Sequence, residues 1–250
     1  PAVNTAAMTA SDAARLLIQG TFGPKRTEID SLVNTSVDAW ITAQIAVPAT
    51  DFRAAELDEF AYQLSINPDL RPNDNFQPFK QRAWFKVIPF APDQLRQRVA
   101  FALSQILVIG DDGLNSGQTE GAAYYWDILA KNAFGNFRTL LEQVTLSPIM
   151  GSYLSSLKNA KADPVAGTNP DENFAREIMQ LFTVGLVQLQ PDGTLKLDAA
   201  GLPIPTYNQT IITETAKVFT GWGYFSTLTN PNFRTARPDH INPMMLYPSF

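Results

Sequence analysis

The sequence predicts a mainly α fold, a multi-helix single domain with a small β-hairpin excursion near 187–205. Three observations predict it. Apolar residues recur at helical spacing along most of the chain, as at Leu95, Val99, Leu103, Ile106 and Leu107. Caps and breakers punctuate them: Ser11, Asn136 and Asn169 can cap helices, and Pro24, Pro89 and Pro92 interrupt them. Strand-like runs are confined to Gln188-Leu189-Gln190, Thr194-Leu195-Lys196-Leu197 and Leu202-Pro203-Ile204. Between them lie Pro191-Asp192-Gly193 and Ala199-Ala200-Gly201, the residues a hairpin turn needs.

Taken in order, Ser11 caps a helix over Asp12-Ala13-Ala14-Arg15-Leu16-Leu17-Ile18, which Gly20 and Gly23-Pro24 stop. A second helix is expected over 25–32 and a third over 37–45, with Trp40, Ile41 and Ile45 on one face. A short helix covers 54–64, and the Pro- and Asn-rich stretch 67–75 is loop. A helix over 79–88 ends at Pro89 and Pro92. Pro92 and Asp93 then start the clearest helix, through Leu107, which its apolar run predicts to be mostly buried. Helices follow over 119–134, 137–146, 170–186 and 209–220. Past Gly221 no period remains, yet Phe225, Phe233, Tyr247 and Phe250 want burial. Residues 222–250 are therefore expected to be an irregular tail that wraps over the helices, unless the chain is a piece of something longer. Without repeats or low-complexity linkers, 1–250 reads as one helical domain.

Composition excludes several functions. With 19 Lys and Arg against 24 Asp and Glu in 250 residues, the formal charge is −5, and no basic face for nucleic acid is visible. The longest apolar stretch, residues 99–109, is broken by Ser104 and Gln105 and falls well short of the ~20 residues of a membrane span. The absence of Cys removes disulfides, thiol nucleophiles and thiolate metal sites, and a single His leaves an ordinary zinc site without partners, so no metal and no cofactor is expected. No Gly-x-Ser-x-Gly elbow and no glycine-rich phosphate loop occurs. Asp111-Asp112-Gly113-Leu114-Asn115 and Asp192-Gly193 with Asp198 lack EF-hand spacing and read as turns. The opening Pro1-Ala2-Val3, with neither Met nor leader, is how an end looks after a targeting segment has been removed, and equally how a trimmed chain looks.

The densest polar cluster on a helix lies within 169–182. Asn169 as N-cap, Pro170 at the first helical position and Glu172 three residues after the cap form a capping-box pattern. Glu172 and Arg176 stand four apart, as do Asn173 and Glu177, while Phe174, Ile178, Leu181 and Phe182 take the rest of the circumference. Architecture is one reading. The chemical one makes Glu172 and Glu177 an acid/base pair with Arg176 clamping an anion and Asn173 a binding residue. The aromatic set Tyr124, Tyr125, Trp126 and Phe134 lies at mixed helical spacing, either as core or, through Tyr125 and Trp126, as a sugar-stacking platform. His240, beside Asp239, is the only histidine and either packs, faces water or supplies half a binding site.

Residues 170–186, from Pro170-Asp171-Glu172-Asn173 to Val184-Gly185-Leu186, resemble the signature of the bacterial DUF1800 family of uncharacterised proteins. So do Ala13-Ala14-Arg15-Leu16-Leu17 with Thr21-Phe22-Gly23-Pro24, Leu95-Arg96-Gln97-Arg98-Val99-Ala100, and Thr213-Glu214-Thr215-Ala216-Lys217-Val218-Phe219-Thr220-Gly221-Trp222, in the right order along the chain. The resemblance implies an exported protein, secreted or periplasmic, because family members look like exported proteins, often encoded beside a second exported family resembling alkaline phosphatases and sulfatases. Two departures stand out. Many relatives carry a carboxylate and a His where this chain has Gln180 and Phe182. Relatives also continue beyond a segment resembling residues 242–250, so a C-terminal half of the same protein is an implied partner. Two functions stay open: a non-catalytic binding or assembly protein that engages an exported partner protein or an extracellular polymer, and a hydrolase of an extracellular glycan or ester built on Glu172, Glu177 and Arg176.

Overall fold

A computed structural model describes residues 6–250. Among them are eleven α-helices and one two-stranded antiparallel sheet, the mainly α fold that the sequence predicts. The chain divides into two compact units, Pro1–Glu142 and Gln143–Phe250.

The first unit holds α1 (Ala10–Gly20), α2 (Arg26–Leu32), α3 (Val37–Ala46), α4 (Phe52–Ile66), α5 (Gln77–Val87), α6 (Gln94–Ser104) and α7 (Thr119–Lys131); α8 (Phe137–Leu146) runs across the division. The cap of α1 is Thr9, not Ser11. Thr9 Oγ1 accepts the Asp12 N–H at 3.2 Å and the Asp12 carboxylate accepts the Thr9 N–H at 3.2 Å, a closed box that Ser11 could not form because Ala14 stands three residues after it. Gly20, the last residue of α1, makes room for Trp40, since a Cβ there would lie 2.8 Å from its ring. On α3, Trp40 and Ile41 are only partly buried and Ile45 is exposed. That helix meets α6 through a polar contact instead: Gln44 accepts the Leu95 N–H at 3.1 Å and donates to the Pro92 carbonyl at 3.3 Å.

α4 packs on α5 and α7, and α7 on α6. Phe52, Ala83, Ile88 and Ala123 form a core cluster against which Trp84 and Trp126 pack, the two indoles meeting edge to face at 5.6 Å. α6 corrects the expectation of a mostly buried apolar run. Leu95, Val99 and Leu103 are partly buried and Ile106 is exposed, whereas Gln97 and Ala100 are fully buried. Hydrogen bonding makes a buried glutamine tolerable: Gln97 accepts from Trp126 Nε1 at 2.8 Å and donates to Asp93 at 2.9 Å, and Asp93 also accepts the Thr50 N–H and hydroxyl at 3.0 and 2.6 Å.

The second unit holds α9 (Pro148–Tyr153), α10 (Asn173–Gln180), α11 (Gln209–Val218), β1 (Trp222–Gly223) and β2 (Met245–Leu246). α10 is much shorter than the helix predicted over 170–186. Asn159 accepts the Asp171 N–H at 2.8 Å and donates to the Asp171 carbonyl at 3.1 Å, which holds the predicted first turn outside the helix. Glu172 becomes the cap position, and the box from Asn169 does not form. The far end turns at Gly185, where φ is +73° and the N–H bonds to the Met179 carbonyl.

Residues 187–205 form the predicted excursion as three short antiparallel runs joined by isolated bridges. Gln188 N–H bonds to Ile204 O, Lys196 N–H to Gln188 O and Gln190 N–H to Thr194 O. Within 222–250, where no period was visible, β1 pairs with β2, Trp222 opposite Leu246. Gly221 makes that pairing feasible: its φ is +80°, and a Cβ would sit 2.9 Å from the carbonyl oxygens of both Phe250 and Tyr247. Phe233 stacks on Phe250 at 4.5 Å, and the Tyr247 hydroxyl donates to the Tyr224 carbonyl at 2.7 Å.

Candidate functional site

The candidate residues fall in different units. In the second, α10 and α11 pack side by side, and Glu172 at the head of α10 collects donors from both. Arg176 Nη2 donates to Glu172 Oε2 at 3.1 Å, Gln209 Nε2 to the same oxygen at 2.8 Å, and the Thr213 hydroxyl to Oε1 at 2.7 Å. The Thr213 hydroxyl, then Gln209 and Arg176, hold the Glu172 carboxyl below the usual glutamate range. A carboxylate so engaged stays ionised at neutral pH.

Asn173 is exposed, its N–H bonded to the Asp171 carboxylate at 2.8 Å. Glu177 differs from Glu172: its Oε2 is buried and has no hydrogen-bond partner. His240 lies elsewhere in this unit, with Nε2 3.4 Å from the Tyr224 hydroxyl and the two rings edge to face at 5.6 Å. Its neighbour Asp239 is pushed up by burial but pulled down further by Asn242 and the Ile241 N–H, and ends below the usual aspartate range.

In the first unit, Tyr125 and Trp126 occupy successive positions of α7 and are both committed. The Tyr125 ring is buried, its hydroxyl donating to the Leu107 carbonyl at 2.8 Å, and the Trp126 N–H goes to Gln97. Both rings line a cavity of about 360 Å³ with Trp84, Phe52 and Leu129. Among the described residues, no group of three or more His, Asp or Glu is placed to hold a metal ion, and no helix is long and apolar enough to cross a membrane.

Both units thus present helix-to-helix polar contacts between residues far apart in the chain, and these contacts lie within the stretch that the family comparison covers. The model of a family described as "Protein of unknown function (DUF1800)" matches residues 15–244. The chain belongs to the DUF1800 family. No curated protein and no solved structure matches it. In this DUF1800 chain two of the recognisable segments meet at one carboxylate, since Glu172 comes from residues 170–186 and Thr213 from residues 213–222. A third, around Arg96, serves helix ends: the Arg96 guanidinium donates to the carbonyls of Ile45, Val47 and Ala130 near the ends of α3 and α7. Phe182 is buried and Gln180 is partly buried.

Sequence reasoning missed two of the buried carboxylates of the first unit, Asp127 and Glu56. Asp127 on α7 accepts the Phe52 N–H at 2.8 Å and the Arg53 N–H at 3.1 Å, capping α4 from another helix. Burial pushes its carboxyl up to about 6 despite those two bonds. Glu56 is fully buried with both carboxylate oxygens unpartnered, and burial raises its pKa while the nearby Asn75 amide lowers it. Both carried a signal. Asp127 interrupts Tyr124-Tyr125-Trp126 and Ile128-Leu129-Ala130, and Glu56 stands four residues from Phe52 and four from Phe60, on the same apolar face.

Proposed function

We propose that this DUF1800 protein is a non-catalytic binding or assembly protein, exported and acting at the bacterial cell envelope or beyond it, where it engages an exported partner protein or an extracellular polymer. The observation that carries the reading is the state of Glu172. Three donors, from Arg176, Gln209 and Thr213, bond to its two oxygens, and the result is a clasp between α10 and α11. Export rests on the family resemblance. The test is Glu172→Gln in the full 250-residue chain. A clasp predicts a lower melting temperature and faster amide exchange in α10 and α11. A catalytic carboxylate predicts the opposite, because removing an active-site charge commonly leaves stability unchanged or raised.

One observation favours the hydrolase reading: the buried, unpartnered Oε2 of Glu177. On that reading Glu177 is the acid/base for an extracellular glycan or ester and Arg176 holds the anion. Glu177→Gln then stays folded and abolishes turnover of chromogenic esters or glycosides that the parent chain cleaves. If the parent cleaves none, or the variant keeps the rate, the hydrolase reading falls.

A further inference from the structure

The cavity of the first unit has features of a ligand site rather than of a packing gap. Its floor is made of fully buried side chains, Phe52, Leu107, Tyr125 and Leu129, while its rim is open: Val108 is 39% and Phe85 69% exposed. At about 360 Å³ it lies at the lower end of the range of small-molecule pockets.

The chemistry of its walls narrows the occupant. The Tyr125 hydroxyl and the Trp126 N–H are consumed by Leu107 and Gln97, so the interior offers a ligand apolar contact alone at those rings. Its polar lining is Lys80, which pairs with Asp111, Gln81, whose Nε2 donates to the other Asp111 oxygen at 2.9 Å, and Ser104 and Gln105, the Ser104 hydroxyl donating to the Phe101 carbonyl at 2.8 Å and Gln105 Nε2 to Ser104 Oγ at 3.3 Å. The Lys80–Asp111 pair is already neutral. With that pair balanced, a ligand carboxylate or a ligand cation would leave one net charge against apolar walls. A neutral acceptor oxygen fits, because the ammonium has three donors and Asp111 Oδ1 uses one.

We propose that this pocket binds one small, uncharged, hydrocarbon-rich molecule, with a single acceptor oxygen held at Lys80. The inference concerns the first unit alone and stands whether or not Glu172 is architectural, so the two can fail separately. The test titrates the 250-residue chain with N-phenyl-1-naphthylamine, a neutral probe that fluoresces when desolvated, and displaces it at pH 8 with 1-decanol or with decanoate. The expected result is saturable uptake of one probe per chain and displacement by the alcohol at least tenfold more effective than by the acid of equal length. Val108→Trp, which fills the exposed rim, should weaken probe binding at least tenfold with unchanged circular dichroism and melting temperature. Uptake that does not saturate, displacement by decanoate as good as by decanol, a probe that neither displaces, or unchanged binding in a folded Val108→Trp would each overturn the proposal.

Discussion

Asp127 in the first unit and Glu172 in the second do the same mechanical work in opposite surroundings. Each carboxylate joins two helices, Asp127 fixing the start of α4 to α7 and Glu172 fixing α10 to α11. Asp127 is buried and accepts two backbone N–H groups; Glu172 is partly exposed and accepts from three side chains. Burial wins at Asp127 and lifts its pKa to about 6, whereas the donors win at Glu172 and lower its pKa. Hydrogen bonds alone do not decide whether a carboxylate is an asset at neutral pH. Water access to the rest of the group decides it.

The largest effect is expected from removing the buried clasp. Asp127→Ala leaves the N–H groups of Phe52 and Arg53 without their acceptor, and two unsatisfied donors cost about 2–5 kcal/mol together. Urea denaturation at pH 7 checks this. A loss below about 1 kcal/mol would show that relief of the buried charge, or water in place of the carboxylate, offsets the lost acceptors. Asp127→Asn keeps one acceptor oxygen and should lose less.

The pH dependence of stability separates the two carboxylates by sign. Asp127 binds its proton more tightly folded than unfolded, so its contribution is fully present below the ordinary aspartate pKa of 3.8, falls as pH rises toward about 6 and is flat above. The displacement corresponds to about 3 kcal/mol. Glu172 has a lowered folded pKa, so what it contributes is present above the ordinary glutamate pKa of 4.5 and is lost as pH falls through the folded value. Denaturation midpoints measured every half unit from pH 3 to pH 8 should therefore decline between about pH 4 and pH 6 in the parent, and that decline should vanish in Asp127→Asn. If the decline persists there, Glu56 or another group produces it.

How much of this was legible beforehand follows from what sequence rules can see. Helix period marks α1 to α8 and α11 because their apolar residues repeat locally, and the turn glycines Gly193 and Gly201 mark the excursion. The rules failed where a distant side chain decides. The length of α10 depends on Asn159 twelve residues upstream of Asp171, and the buried face of α6 on Trp126 donating to Gln97 from α7. Apolar period assigns burial by residue type, so it favoured Leu95 and Ile106 over a glutamine whose partners lie outside the window. The candidate cluster shows the same limit: the spacing of Glu172 and Arg176 was readable, but Gln209 and Thr213, which complete the clasp, come from another helix.

A smaller effect tests whether burial without partners is costly in this unit. Burial, the largest influence on Glu56, raises its pKa; Glu120 adds to the rise, while Asn75, Lys80 and Arg53 oppose it. Glu56→Gln removes the charge and keeps the shape, and should stabilise the protein at pH 7.5 by about 1 kcal/mol, the usual size of a single favourable change. Thermal melting reads the sign. A destabilised variant would mean that Lys80 and Arg53 need the Glu56 charge more than its burial costs, placing Glu56 with Glu172 rather than with Asp127.

The smallest effect sharpens the other side. Thr213→Val removes the donor that contributes most to lowering the Glu172 pKa and preserves side-chain volume. Arg176 and Gln209 still reach Glu172 Oε2, so the clasp survives with one bond fewer. The Glu172 carboxyl, followed by carbon-detected titration, should then protonate at higher pH than in the parent, with only a slight fall in melting temperature, as expected where water can replace a lost donor. An unmoved titration would mean that Arg176 charge, not the hydroxyl, holds the acid ionised. Arg176→Gln should then produce the upward shift that Thr213→Val did not, and the clasp would be an ion pair first and a hydrogen-bond network second.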